Sequence, residues 1–246
     1  MGDYMFKKSH LKYVKISIII FIFLCLILVI FYNYKNNKSV KTNAVPASNK
    51  IIILDSGHGL PDNGATGFYM TSEQEINLKI TLKIQKLLEQ SGSVVLLTRS
   101  DENGIYDISS DTIREKKISD IKNRVNIINT SKADILISIH LNKYAASSAY
   151  SGWQTFYKEN NDESKKLATA IQSNLNKNID DNNDRIPMKI KDVYLIEKSN
   201  IPSVIVECGF LSNKEECENL KKDDYQENLA WGIFLGIQDY FEKKES

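Results

Sequence analysis

Residues 50–59 read KIIILDSGHG. An uninterrupted apolar run ends in a loop that holds a histidine between two glycines. Continuous apolar runs, as opposed to alternating ones, are what strands of a parallel sheet covered on both faces require. A second such run, ADILISIH at 133–140, also ends in histidine, and the chain has only three: His10, His58 and His140. A third, PSVIVE at 202–207, closes on a glutamate. In open parallel sheets ligands sit beyond the carboxyl ends of the strands. His58, His140 and Glu207 are therefore expected to face one crevice.

The segments between these runs alternate in period. Residues 73–90 carry Ile76, Ile80, Ile84, Leu87 and Leu88 at helical spacing, with Ser72 and Glu75 placed as a capping pair. SVVLLTR at 93–99 reads as a strand, and a polar insert follows at 100–112. Helical spacing returns over 113–130 through Ile118, Ile121, Val125 and Ile128. WQTFY at 153–157 alternates less cleanly, 163–177 reads as a helix, and DVYLI at 192–196 reads as a short strand. A last helix is expected over 224–241, with Tyr225, Leu229, Ile233, Ile237 and Phe241 inward. The fold expected is α/β, a twisted, mostly parallel sheet with helices on both faces.

The first 49 residues differ in kind. ISIIIFIFLCLILVIFY at 16–32 contains no charge, and no small-x-small cleavage site follows directly. It reads as a transmembrane or signal-anchor helix, with a cleaved signal and a buried core helix as the other readings. The organisation expected is a basic tail over 1–15, the span over 16–32, a linker over 33–49 and a catalytic domain over 50–246. The implied localisation is a membrane-anchored protein with its domain outside the cytoplasm, or a secreted one if the segment is cleaved. Residues 1–49 hold seven lysines and one aspartate in a chain of net charge +1, so 50–246 is negative by about five. That balance argues against a nucleic-acid partner. Three cysteines, Cys25, Cys208 and Cys217, are too few for a disulfide scaffold and lack metal-site spacing.

Two histidines suggest zinc, which needs a third protein ligand and an open position for water. Glu73, at the head of a helix after the histidine loop, is one choice. Glu75 and Asp55 are its rivals, and spacing does not decide among them. Cys208, next to Glu207 on an extended strand, would point to the opposite face. A glutamate closing an apolar strand is costly unless it is paired or bound, and a proton-transfer role would explain Glu207. A phosphate loop is disfavoured, because the loop has neither GK[ST] nor GxGxxG.

These residues fall in blocks. LDSGHGLPDNGATG spans 54–67, EQEINL 73–78, LLTRSD 96–101, RVNIINTSKADILISIHLN 124–142 and VIVECGFLSN 204–213. In this order they resemble the zinc-dependent N-acetylmuramoyl-L-alanine amidases over about 50–241. The resemblance implies one catalytic Zn2+ held by His58, Glu73 and His140, with Glu207 as the catalytic residue. It implies hydrolysis of the amide between the muramic acid lactyl group and L-alanine of the stem peptide, so peptidoglycan is the substrate. Ser56 stands where the family usually has proline, Leu60 where it has a second glycine, and Cys208 where it has valine or isoleucine. The stretch 112–129 and the ECGFLSN ending resemble the spore-cortex subgroup. There, peptide removal precedes muramic-δ-lactam formation, which implies coupling to a muramic acid deacetylase and leaves room for an accessory protein that seats metal or substrate. A vegetative autolysin, another zinc peptidase and a non-enzymatic wall protein stay in view as alternatives.

Overall fold

A computed structural model describes residues 21–29, 45–179 and 183–245. The run 51–56 forms β1 (Ile51–Ser56), followed by α1 (Glu73–Gln90), β2 (Val94–Leu97) and α2 (Ile113–Thr130). Then come β3 (Ile135–Asn142), β4 (Gln154–Lys158), α3 (Asp162–Asn178) and β5 (Met188–Ile190). α4 (Tyr194–Lys198), β6 (Ser203–Phe210), α5 (Lys214–Leu220) and α6 (Asp223–Glu245) complete the series. The strands make one mixed sheet in the order β2-β1-β3-β6-β4-β5. β2, β1, β3 and β6 run parallel, whereas β4 is antiparallel to β6 and parallel to β5.

Side chains alternate across this sheet, and both faces are covered. Ile52, Leu54, Ile135, Ile137, Ile139, Val204 and Val206 belong to the larger core, with Ile76, Ile80, Ile84 and Leu88 of α1 and Leu229, Ile233 and Ile237 of α6. Ile53, Leu136 and Ile205 pack on the opposite face with Ile128 of α2 and Leu195 and Ile196 of α4. Two-sided burial is why β1 has no polar alternation: Ile52, Ile53 and Leu54 are all 0 % exposed, each contributing about 1.5–3 kcal/mol. Three local expectations change. DVYLI contributes to the helix α4, because five apolar-rich residues are too few for periodicity to tell strand from helix. Ser72 makes no side-chain cap for α1, and its hydroxyl bonds the Asn63 carbonyl. The capping box stands on α2, between Thr112 and Glu115. Ile118 of α2, expected inward, is exposed.

The expected N-terminal transmembrane or signal-anchor helix is corrected. Among the described residues no helix is long and apolar enough to cross a membrane. Of the expected span 16–32, the described part is 21–29, an exposed helical stretch. The rest of the span, the tail over 1–15 and most of the linker lie outside the described residues. The membrane as a partner and the membrane-anchored localisation are withdrawn with it. The chain divides into two units, 1–44 and 45–246, and the sheet and the numbered helices lie in the second.

α3 and α6 cross closely because glycine stands at the contact. A Cβ on Gly236 would lie 2.4 Å from Ile171 Cα, where only backbone movement would relieve it. Gly236→Ala is therefore expected to lower stability by about 1–3 kcal/mol, the cost of overpacking a filled core. Urea denaturation monitored by circular dichroism would read this as a lower midpoint. An unchanged midpoint would mean that the two helices have slack at this crossing.

Candidate metal centre

β1 ends in a turn that is held from outside the strand. Asp55 is buried and accepts hydrogen bonds from Arg124 Nη1 at 2.6 Å, Thr98 Oγ1 at 2.7 Å and Ser138 Oγ at 2.5 Å. Burial would raise its pKa, but the Arg124 guanidinium and the two hydroxyls hold it at about 2. Arg124 also donates to the carbonyls of Ser56 and His58 and to Asp120. Arg99 donates to the carbonyls of Ser56, Gly57 and Gln74. Two buried arginines thus tie down three successive carbonyls of the DSGHG loop. Within it His58 takes φ 62°, a left-handed conformation uncommon for a residue with a side chain.

Sheet register supplies the second histidine. Ser56 pairs with Ile139, and His140 pairs with Glu207. The ladder shifts register between His140 and Asn142, which re-aims the strand end. Leu141 N then donates to Glu73 Oε1 at 3.1 Å. Gly57 makes room for the imidazole, since a Cβ there would lie 2.4 Å from His140 Nε2.

Glu73, at the start of α1, is 3 % exposed and brings both rings together. Its Oε1 lies 3.2 Å from His58 Nε2 and 3.0 Å from His140 Nδ1. Its Oε2 accepts from Ala65 N at 2.8 Å. Burial would raise its pKa, but the two histidines outweigh that and hold it well below the usual carboxylate range. On the far side of the His58 ring, Nδ1 lies 2.9 Å from Asp62 Oδ2, and Asp62 Oδ1 is 2.7 Å from Lys117 Nζ. Burial pulls His58 down, yet Asp62 and Glu73 push it up to about 9. The pocket therefore favours positive charge. Ligand-type atoms of His58, Glu73 and His140 all lie within 4.8 Å of one another. Two imidazoles and one carboxylate match the donor set of a catalytic zinc, three protein ligands with one position open.

The rival ligands are placed elsewhere. Asp55 serves the arginine clamp, and Glu75 is exposed and paired with Lys79 at 2.6 Å. Cys208 is buried in the larger core, and burial pushes its thiol up. Cys208 and Cys217 are both free thiols. Glu207 shares a sheet face with His140, and its Oε2 is buried without a hydrogen-bond partner among the described residues. Burial, with some opposition from the histidines, pushes its pKa up to about 7. Sequence reasoning did not single out Asp62, Arg99 or Arg124. A signal existed for Arg124, which stands between Ile121 and Ile128 on the inward stripe of α2, where a charge is out of place.

The family model of the N-acetylmuramoyl-L-alanine amidases matches residues 52–239. The germination-specific N-acetylmuramoyl-L-alanine amidase of Bacillus subtilis is 37% identical over 213 residues, covering 87% of this chain and 89% of that relative. The solved CwlD amidase from Clostridioides difficile, in complex with the GerS lipoprotein, is 46% identical with a TM-score of 0.77, over 79% of this chain and 100% of that one. A crystallised N-acetylmuramoyl-L-alanine amidase from Clostridium difficile 630 is 30% identical with a TM-score of 0.70, over 80% of this chain and 99% of that one.

Asp62 Oδ2 lies against Nδ1 of His58, a placement that would leave Nε2 to bind a metal. Removing such a partner typically costs 10–100-fold in metal affinity. Asp62→Asn is expected to weaken zinc binding by about that factor, as read by chelator competition, with the circular dichroism spectrum unchanged. Wild-type affinity in the variant would show that His58 needs no such orientation.

Proposed function

Since the chain belongs to the N-acetylmuramoyl-L-alanine amidase family, whose activity is zinc-dependent, we propose that His58, Glu73 and His140 hold its zinc and that Glu207 moves the proton. The reaction is hydrolysis of the amide that joins the lactyl group of muramic acid to L-alanine of the stem peptide. Its relation to the germination-specific and CwlD amidases assigns it to the spore-cortex group. In cortex, the products would be a glycan with bare muramic acid, the form needed for muramic-δ-lactam, and a released peptide. Residues 50–246 are the proposed catalytic domain.

The observation that carries the division of labour is the contrast between two carboxylates. Glu73 receives hydrogen bonds on both oxygens and stays ionised. Glu207 has a buried oxygen with no partner among the described residues, and burial raises its pKa to about 7, near the operating range of an acid–base group. When bound, zinc supplies Lewis acidity toward the amide carbonyl and the attacking water. Glu207 accepts a proton as the water oxygen bonds to the carbonyl carbon. It returns that proton to the amide nitrogen as the carbon–nitrogen bond breaks, so the carboxylate is regenerated. His58 is kept by Asp62 in the tautomer with Nε2 free, and Arg124 and Arg99 fix the loop that carries it.

Substitution separates the two roles. Glu207→Gln keeps size and removes proton acceptance, so zinc content is expected to stay near one equivalent while hydrolysis falls by about 10²–10⁴-fold. Glu73→Gln is expected to lose zinc and activity together. Zinc analysis beside turnover on purified peptidoglycan decides this, with products identified by mass spectrometry. Loss of zinc in Glu207→Gln would make Glu207 a ligand, and near-normal turnover would remove it from the mechanism. Cleavage within the peptide, in place of free glycan and an intact stem peptide, would make the protein a peptidase.

A further inference from the structure

A cavity opens beside the metal centre, on the sheet face that carries His140 and Glu207. His58 and His140 line it, as do Ser138 and Ile205 from the sheet. Its other walls are largely apolar, with Tyr106, Ile121, Val193 and Leu195 facing in from the insert after β2, from α2 and from the segment entering α4. Lys116 and Lys117 line it from α2.

The charges around this cavity are committed, with one exception. Lys116, Asp120 and Arg124 lie at successive i, i+4 positions and so share one face of α2. Arg124 is spent on Asp55 and the loop carbonyls. Asp120 accepts from Arg124 Nε at 2.6 Å and from Ile105 N at 2.6 Å. Lys117, on the neighbouring stripe, is paired with Asp62 at 2.7 Å. Lys116 is half-buried with its Nζ 4.8 Å from the Tyr106 ring centroid, and no carboxylate pairs with it among the described residues. An ammonium without a counter-ion, over an aromatic ring at an apolar cavity, is a receptor for an anion at the end of an apolar stem.

We propose that this cavity holds the stem-peptide limb of the substrate, with Lys116 binding a carboxylate of that peptide. The proposal rests on the amidase reading above. It also agrees with the chemistry of the leaving group. The nitrogen that must receive the proton belongs to the peptide, and Glu207 lies on the same face of the sheet as the cavity. The apolar walls suit the alanine methyl and the peptide's methylene groups, and the ammonium fixes the limb's reach. Lys116 is thus a specificity-determining residue, acting on substrate and not on the metal.

The test uses the full-length zinc-loaded protein and two synthetic muramoyl peptides, one with free peptide carboxylates and one with every carboxylate amidated. Lys116→Gln is expected to raise KM about 10–100-fold on the free-carboxylate substrate, the range of a lost charge-assisted hydrogen bond. On the amidated substrate the same variant should fall within about twofold of wild type, because that substrate offers no charge to lose. Lys116→Arg should recover most of the loss. An equal effect of Lys116→Gln on both substrates, or none on either, overturns the proposal. Calorimetric titration with the free stem peptide and its amidated form reads the cavity without turnover. If the wild type hydrolyses neither substrate, the amidase reading fails. Lys116-dependent binding of the free peptide would still support the cavity assignment, and binding indifferent to Lys116 would overturn it.

Discussion

The buried pairing of Asp55 with Arg124 is the contact on which the rest of the centre depends. Asp55 is the last-but-one residue of β1, and Arg124 comes from the middle of α2. Each is at most 2 % exposed. An ion pair withdrawn from water is tolerated only when its remaining donors and acceptors are also satisfied. Here they are: Asp55 has Thr98 and Ser138, while Arg124 has Asp120 and the carbonyls of Ser56 and His58. The guanidinium left over after charge neutralisation is what grips the loop. Arg99, just beyond β2, grips the same loop through the carbonyls of Ser56 and Gly57. A left-handed His58 persists because these contacts over-determine its backbone.

From that fixed loop, sheet register determines the rest. β1 and β3 are parallel neighbours, and so are β3 and β6, so their carboxyl ends lie at one edge. Residues paired across parallel strands point the same way, which puts His140 beside Glu207. A one-residue slip of β6 would bring Cys208 to that face and bury Glu207 in the larger core. The alternation of apolar residues along β6, with Val204, Val206 and Cys208 on one side, opposes such a slip. The hydrophobic pattern that stabilises the sheet is therefore also what aims the carboxylate.

The long helices were legible because each repeats its apolar pattern over enough residues to define a period, and β1, β3 and β6 because each is built on a nearly continuous apolar run. His58, His140 and Glu207 were legible for the related reason that each interrupts or terminates such a pattern. Glu73 was not: its position at a helix start looks the same whether it binds metal or serves the helix dipole, and only the family resemblance separated it from Glu75 and Asp55. α4 was misread because five residues carry no usable period. Asp62 and Arg99 were missed because their roles depend on loop closure, which brings together residues with no sequence periodicity. The apolar run at 16–32 was read as a span from its freedom from charge, whereas among the described residues no helix is long and apolar enough to cross a membrane.

Two glutamates near one pair of imidazoles end in opposite electrostatic states, and the cause is local. Glu73 sits where the backbone N–H groups of Ala65 and Leu141 and both histidine rings converge. All four favour the anion, and they outweigh the cost of burial. Glu207 lies inside β6, its backbone engaged in the sheet and its Oε2 without a donor among the described residues, so burial dominates and raises its pKa to about 7. Pairs of titratable groups whose surroundings drive them apart in this way divide into a fixed charge and a proton carrier. The proposed assignment of Glu73 to metal holding and Glu207 to proton transfer rests on the donors each carboxylate meets. Those donors are set by where the loop after His58 folds back onto α1 and by the bulge that frees the Leu141 N–H.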